Sequence, residues 1–205
     1  LPQRGLIVDL CAGNGAVGLF ASTRTKAQIL AVEIQERLAD MAERSIELND
    51  LTKQMQVIQD DLKNLGRYIT GSKVDMILCN PPYFKVDKQS NLNESQHYLL
   101  ARHEISTNLE EICKIAQRVL KSNGRLAMVH RPERFLDILD TMQAHNLAPK
   151  RIQFVYPKLG KEANMLLIEA IKDGSLDGLK ILPPLFIHNQ DGSYTPEIHE
   201  IYYGK

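Results

Sequence analysis

The chain has 205 residues, 43% hydrophobic and 24% charged, with a formal net charge of zero; that length and mix fit one globular domain with a core of its own. No apolar run approaches the roughly 18 residues that span a bilayer, no basic and apolar leader opens the chain, and a neutral balance argues against a general nucleic-acid coat protein. Cys11, Cys79 and Cys113 are odd in number and form no CxxC pair, so each is expected as a buried free thiol in a reduced cytoplasmic protein, outside any disulfide framework or zinc knuckle.

In chain order, Gly5–Leu10 predicts a first strand, followed by a glycine loop and a helix over 15–23. Ile29–Glu33 predicts the second strand. From Glu36 to Leu48, apolar residues at 38, 41, 42, 46 and 48 fall mostly on one helical stripe. Met55–Ile58 reads as a third strand, and Asp61 or Asn64 opens a short helix. Val74–Cys79 is a fourth, fully buried strand. The polar stretch from 84 to 107 lacks periodicity and is long for a loop. Leu109–Leu120 predicts a helix stopped by Ser122-Asn123-Gly124, Arg125–His130 a fifth strand, and Pro132 the first turn of a helix reaching about His145. Arg151–Tyr156 and Asn164–Ile171 leave no room for a crossover helix and are expected as antiparallel neighbours. A final hairpin is expected over 179–203, pairing Leu179–His188 with Tyr194–Tyr202 around Asn189-Gln190-Asp191-Gly192. Alternating elements of this kind predict an α/β domain: a mostly parallel twisted sheet with helices on both faces and an antiparallel terminal pair, one domain over 1–205.

Charge is unevenly spread. Residues 33–61 carry eight acids against three bases, and residues 112–161 ten bases against three acids. The basic segment, with Lys150 and Arg151 as its expected RNA contacts, either forms a phosphate-attracting face or is a set of solvated helix faces that do not converge.

Two stretches carry chemistry. Gly13-Asn14-Gly15-Ala16-Val17-Gly18 matches GxGxxG, which alone is weak. A pyrophosphate site wants no anion beside it, yet Asp9 stands four residues before Gly13. A carboxylate there suits an ammonium-bearing ligand such as S-adenosylmethionine; the alternative is an acid that ties down the loop backbone. Glu33, eighteen residues past Gly15, is placed to accept two ribose hydroxyls, with Ile34 against an adenine. Asp61, with Leu62 adding a backbone N–H, is placed to meet the adenine edge; Asp60 is the neighbouring alternative, and a helix N-cap the other role open to either.

The second stretch is Asn80-Pro81-Pro82-Tyr83, directly after the fourth strand. It puts an amide, stiff carbonyls and a flat ring at the edge where open α/β sheets bind ligands. The Asn80 side-chain oxygen and the Pro81 carbonyl can accept from the two N–H bonds of a planar amine, and Tyr83, with Phe84, can stack on an extruded base. A strand end followed by a Pro-Pro turn is the plainer alternative.

Together DLCAGNG, AVEIQ, QDDL and CNPPYF resemble the class I S-adenosylmethionine-dependent methyltransferases that modify amines, over essentially the whole chain. Within that set, Ala101-Arg102-His103-Glu104, Pro183-Pro184 and Asp191-Gly192 resemble the bacterial enzymes acting on N6 of adenosine-37 in tRNA(Val). The resemblance implies a Rossmann-like methyltransferase fold and S-adenosylmethionine as cofactor without a metal. It also implies cofactor contacts at Asp9, Gly13, Gly15, Glu33, Ile34, Asp61, Leu62 and Asn80, a target base held by Asn80, Pro81, Pro82 and Tyr83, and a monomer acting on tRNA. An N-terminal segment upstream of Leu1 is expected by the same comparison. Two other activities remain open: methylation of a protein glutamine, as in release-factor methyltransferases, and a nicotinamide-binding oxidoreductase.

Overall fold

A computed structural model describes residues 1–82 and 109–204. Nine strands and five α-helices are assigned among them: β1 (Leu6–Leu10), α1 (Ala16–Ser22), β2 (Gln28–Glu33), α2 (Glu36–Leu48), β3 (Met55–Gln59), β4 (Val74–Cys79), α3 (Leu109–Val119), β5 (Leu120–His130), α4 (Phe135–Ala144), β6 (Leu147–Lys158), β7 (Met165–Lys172), β8 (Lys180–Ile181), β9 (Leu185–His188) and α5 (Pro196–Tyr203). Short 3-10 turns cover Leu62–Arg67 and Pro132–Arg134. The expected loop over 84–107 lies outside the described residues.

The strand order is β3-β2-β1-β4-β5-β7-β6-β8, with β9 also on β6. Pairings among β1 to β5 are parallel, and β7 runs antiparallel between β5 and β6. The expected mixed sheet with an antiparallel closing pair is therefore what forms. The chain winds from β1 outward through β2 to β3, then returns to β4 on the other side of β1. That reversal opens a crevice at the carboxyl ends of β1 and β4, the position at which such sheets take ligands.

Two apolar layers hold the sheet. On one face Val8, Leu10, Ile77 and Leu126 pack with Ile112 and Ala116 of α3 and Ile138 and Met142 of α4. On the other, Ile7, Ile29, Ala31 and Met76 pack with Ala21 of α1 and Ile46 of α2. β4 is buried almost throughout because it is covered from both sides, which explains its unbroken apolar sequence. Among the described residues no helix is long and apolar enough to cross a membrane.

The terminal hairpin differs from expectation. The Asn189–Gly192 turn forms, with Gly192 N–H donating to the Asn189 carbonyl at 3.1 Å, but pairing stops at a single His188–Tyr194 bridge. Residues 196–203 are helical. The Thr195 hydroxyl accepts from Ile198 N–H, Pro196 opens the first turn and Glu197 sits in it; these start signals override the hairpin signal of Asn189-Gln190-Asp191-Gly192 and the strand preference of the isoleucines and tyrosines after it. The first half of the hairpin is also divided. Pro183 and Pro184, which have no amide hydrogen to give a ladder, separate β8 from β9, and both lie parallel along β6. β5 begins at Leu120 rather than Arg125, with a register shift against β4 between Val74 and Met76.

Candidate active site

Leu10 lies opposite Cys79 in the β1–β4 ladder. The glycine loop and Asn80-Pro81-Pro82 therefore leave neighbouring strands at the same edge of the sheet. Asn80 is exposed, Pro81 buried and Pro82 half-buried; Tyr83 lies outside the described residues. Asn80 also borders a groove of about 420 Å³ between β4, β5, β7 and α1, whose apolar floor includes Val17, Leu78 and Val129.

The loop is held by the two acids that end β1 and β2. Asp9 is 1% exposed, and its Oδ2 accepts from Gly18 N–H at 2.9 Å. Its Oδ1 is buried with no hydrogen-bond partner among the described residues. Burial pushes the carboxyl pKa up to about 7, with the nearby Glu33 charge adding to the rise and the Gly18 N–H opposing it. Asp9 thus does tie down the loop, and half of its carboxylate is left over. Glu33, also buried, accepts from Gly13 N–H through Oε2 at 2.7 Å and from Gln35 N–H through Oε1 at 2.9 Å. Each oxygen keeps a second lone pair. Ile34 follows at 38% exposure, an apolar side chain left open beside Glu33.

The glycines divide the work. Gly13 adopts φ +57° with open space where a Cβ would point, whereas Gly15, at φ +81°, would bring a Cβ to 3.0 Å from that of Ala42 on α2. A Gly18 Cβ would stand 2.5 Å from Met55 Cε. So Gly15 and Gly18 let α1 pack, and Gly13 leaves open space beside the loop. Gly15→Ala is expected to destabilise the fold by about 1–2 kcal/mol through the left-handed backbone alone, read as a lower urea midpoint with unchanged m value.

After β3, Asp60 is taken up by the chain itself. Its Oδ1 accepts from Asp61 N–H (2.7 Å) and Asn64 Nδ2 (2.8 Å), and its Oδ2 from the Tyr68 hydroxyl (2.9 Å). The Asn64 and Tyr68 bonds hold its carboxyl below the ordinary range. Asp61 caps the 3-10 turn, accepting from Lys63 N–H at 2.9 Å, and Leu62 is buried. The N-cap role open to either acid belongs to Asp61, while Glu33 O accepts from Asp60 N–H at 3.1 Å, joining the two strand ends.

Some placements depart from the sequence pattern. Lys150 Nζ donates to the Ser175 carbonyl at 2.7 Å and to that of Asp177. Arg151 meets both oxygens of buried Glu169, which also binds Arg125. Lys121 pairs with Asp75. Five of the segment's ten bases, Lys121, Arg125, Arg134, Lys150 and Arg151, thus hold internal partners, and a charge reversal at 150 and 151 would break these contacts before it tested RNA. The neighbouring Cys11 thiol, together with burial, raises the Cys79 pKa well above the usual value, a pairing with no signal in the sequence. All three cysteines are free; Cys79 and Cys113 are buried as expected, whereas Cys11 is only half-buried. Among the described residues no group of acids, histidines or cysteines could hold a metal ion.

The family described as conserved hypothetical protein 95 matches residues 3–133. The chain belongs to this family. A curated relative, the tRNA1(Val) (adenine(37)-N6)-methyltransferase of Porphyromonas gingivalis, is 27% identical over 201 residues, covering 96% of this chain and 77% of that protein. Among solved structures, a predicted O-methyltransferase of Agrobacterium tumefaciens superposes with a TM-score of 0.77 at 24% identity, over 98% of this chain and 89% of that one. The geranyl diphosphate C-methyltransferase of Streptomyces coelicolor, in complex with S-adenosyl-L-homocysteine, gives 0.60 at 13% identity over 82% and 73%. The Rossmann-like methyltransferase fold of this family member follows from these likenesses.

Proposed function

We propose that this domain transfers a methyl group from S-adenosylmethionine to N6 of adenine in RNA, acting as a monomer on adenosine-37 of tRNA(Val), the substrate class its curated relatives are named for. The observation that carries the reading is the convergence of an acid-rimmed glycine loop and Asn80-Pro81-Pro82 on the adjacent ends of β1 and β4.

The donor set fits the cofactor. Asp9 offers a buried oxygen that has no partner among the described residues, Glu33 retains lone pairs for two hydroxyls, Ile34 offers an apolar face, Asp61 and Leu62 follow β3, and the open space at Gly13 leaves room for a ligand. Three carboxylates repel a pyrophosphate and suit an ammonium and a ribose, which favours this cofactor over a nicotinamide dinucleotide. When bound, S-adenosylmethionine supplies a sulfonium methyl group open to in-line attack. The protein's part is positioning. Asn80 and the Pro81 carbonyl accept from the adenine amine, hold its lone pair toward the methyl and favour the more pyramidal nitrogen of the transition state. Pro82 stiffens the turn, and Tyr83 is assigned the stacking face for the extruded base. The proton leaves to solvent once nitrogen has become cationic, so no strong base is needed.

The test is mass analysis of an unmodified tRNA(Val) transcript incubated with the protein and S-adenosylmethionine. One added methyl, mapped to position 37 and lost when that adenosine is replaced by guanosine, supports the reading. Methyl label in protein glutamine and none in RNA overturns it.

A further inference from the structure

We propose that Arg131 anchors the backbone phosphate of the RNA strand that carries the target adenine; this rests on the RNA-methylating reading above and adds to it a binding residue outside the glycine loop and the Asn-Pro-Pro turn.

β4 and β5 are parallel neighbours, with Cys79 opposite Met128. Three residues beyond Cys79 stands Pro82, and three beyond Met128 stands Arg131. The turn assigned to the base and this arginine therefore leave the carboxyl edge from adjacent strands. A base and its own 5′ phosphate are separated by roughly the reach of an arginine side chain, so a nucleotide gripped at Asn80 brings its backbone over the end of β5.

The Arg131 backbone is fixed on both sides. Its N–H donates to Nδ1 of buried His130 at 2.8 Å. Pro132 follows, and Arg131 takes the extended conformation (φ −82°, ψ 139°) that a residue before proline prefers. The side chain is held much less tightly. It is 43% exposed and its Nε lies 3.7 Å from Glu133, beyond hydrogen-bond distance. Nearby cations are committed by comparison: Arg134 Nε is 2.7 Å from Asp137, and Arg125 and Arg151 share Glu169. A rigid stem with a loosely engaged guanidinium suits bidentate phosphate binding, whose donors must be available when the ligand arrives.

Binding of unmodified tRNA(Val) transcript is measured for the wild-type protein, Arg131→Gln and Arg131→Lys across a salt series, alongside S-adenosylhomocysteine affinity and melting temperature. Arg131→Gln is expected to weaken RNA binding about tenfold and to reduce the slope of log affinity against log salt by about one, as loss of one phosphate contact does. Arg131→Lys is expected to keep the slope and recover part of the affinity, and homocysteine-cofactor affinity and melting temperature are expected to stay at wild-type values. Unchanged RNA affinity and slope in Arg131→Gln, with a wild-type protein that binds and methylates the RNA, overturns this inference alone. A wild-type protein that neither binds nor methylates RNA overturns the functional reading and this inference with it. If Arg131→Gln loses RNA and cofactor affinity together with melting temperature, Arg131 is structural and the inference fails.

Discussion

Asn80→Ala is expected to lower single-turnover methyl transfer to adenine by about 10²–10³-fold, the loss typical when one preorganised hydrogen-bonding group at a reacting centre is removed. The argument is positional. Asn80 follows β4 at the point where that strand adjoins β1, it is exposed, and buried Pro81 and the strand behind it fix its backbone. Truncation removes an acceptor while leaving Pro81, Pro82 and the glycine loop in place. Cofactor affinity should therefore fall only a few-fold, since Asp9, Glu33 and Ile34 are untouched, and melting temperature should change little. Rapid-quench measurement with saturating tRNA and cofactor separates the two quantities. A drop confined to cofactor affinity, with transfer in the saturated complex unchanged, would move Asn80 from the acceptor to the cofactor half of the site.

Much of this arrangement was readable in the residues because each signal had one dominant physical cause. The β4 run Val74–Cys79 is apolar without alternation because both faces are covered, and α2 spans the predicted Glu36–Leu48 because its stripe packs on the sheet. Local competition hid the rest. At 194–203, aromatic and β-branched residues favour a strand, yet Thr195-Pro196-Glu197 starts a helix, and burial of Ile198 against Val155 and Leu185 rewards that choice. The glycine fingerprint was visible, but its division of labour was not. Only the approach of Ala42 and Met55 shows that Gly15 and Gly18 serve packing while Gly13 faces open space. The excess of bases in 112–161 counts charges without partners. Glu169, a single acid outside that window, takes two of its arginines, and only the β4–β5 register shows that Arg131 and the Asn-Pro-Pro turn leave the sheet from adjacent strands.

Asp9→Asn is expected to have opposite effects on the empty protein and on cofactor binding. The Asp9 carboxyl is pushed from 3.8 up to about 7, chiefly by burial. A group whose folded pKa is raised favours the fold when protonated. That contribution is complete below about pH 4 and is lost as pH rises through 7. That rise in pKa corresponds to roughly 4 kcal/mol, an upper figure, since the Asn amide nitrogen would itself be buried without an acceptor at a cost of about 1–3 kcal/mol. Asparagine can keep the bond to Gly18 N–H through its oxygen while carrying no charge. Urea titrations should therefore show the variant gaining on wild type as pH rises from 4 to 8, by a few kcal/mol at most. Cofactor binding should move the other way. An ammonium beside Oδ1 favours the ionised acid, so wild-type affinity for S-adenosylhomocysteine should fall up to about tenfold per pH unit below 7, with proton release on binding near neutrality. In Asp9→Asn the affinity should be about 10–100-fold weaker above pH 7 and nearly independent of pH from 6 to 8. Calorimetry in buffers of different ionisation enthalpy reads the proton count directly. A flat wild-type profile, with no proton released and no loss of affinity in the variant, would leave Asp9 with the Gly18 bond alone and shift recognition of the ammonium to the loop backbone.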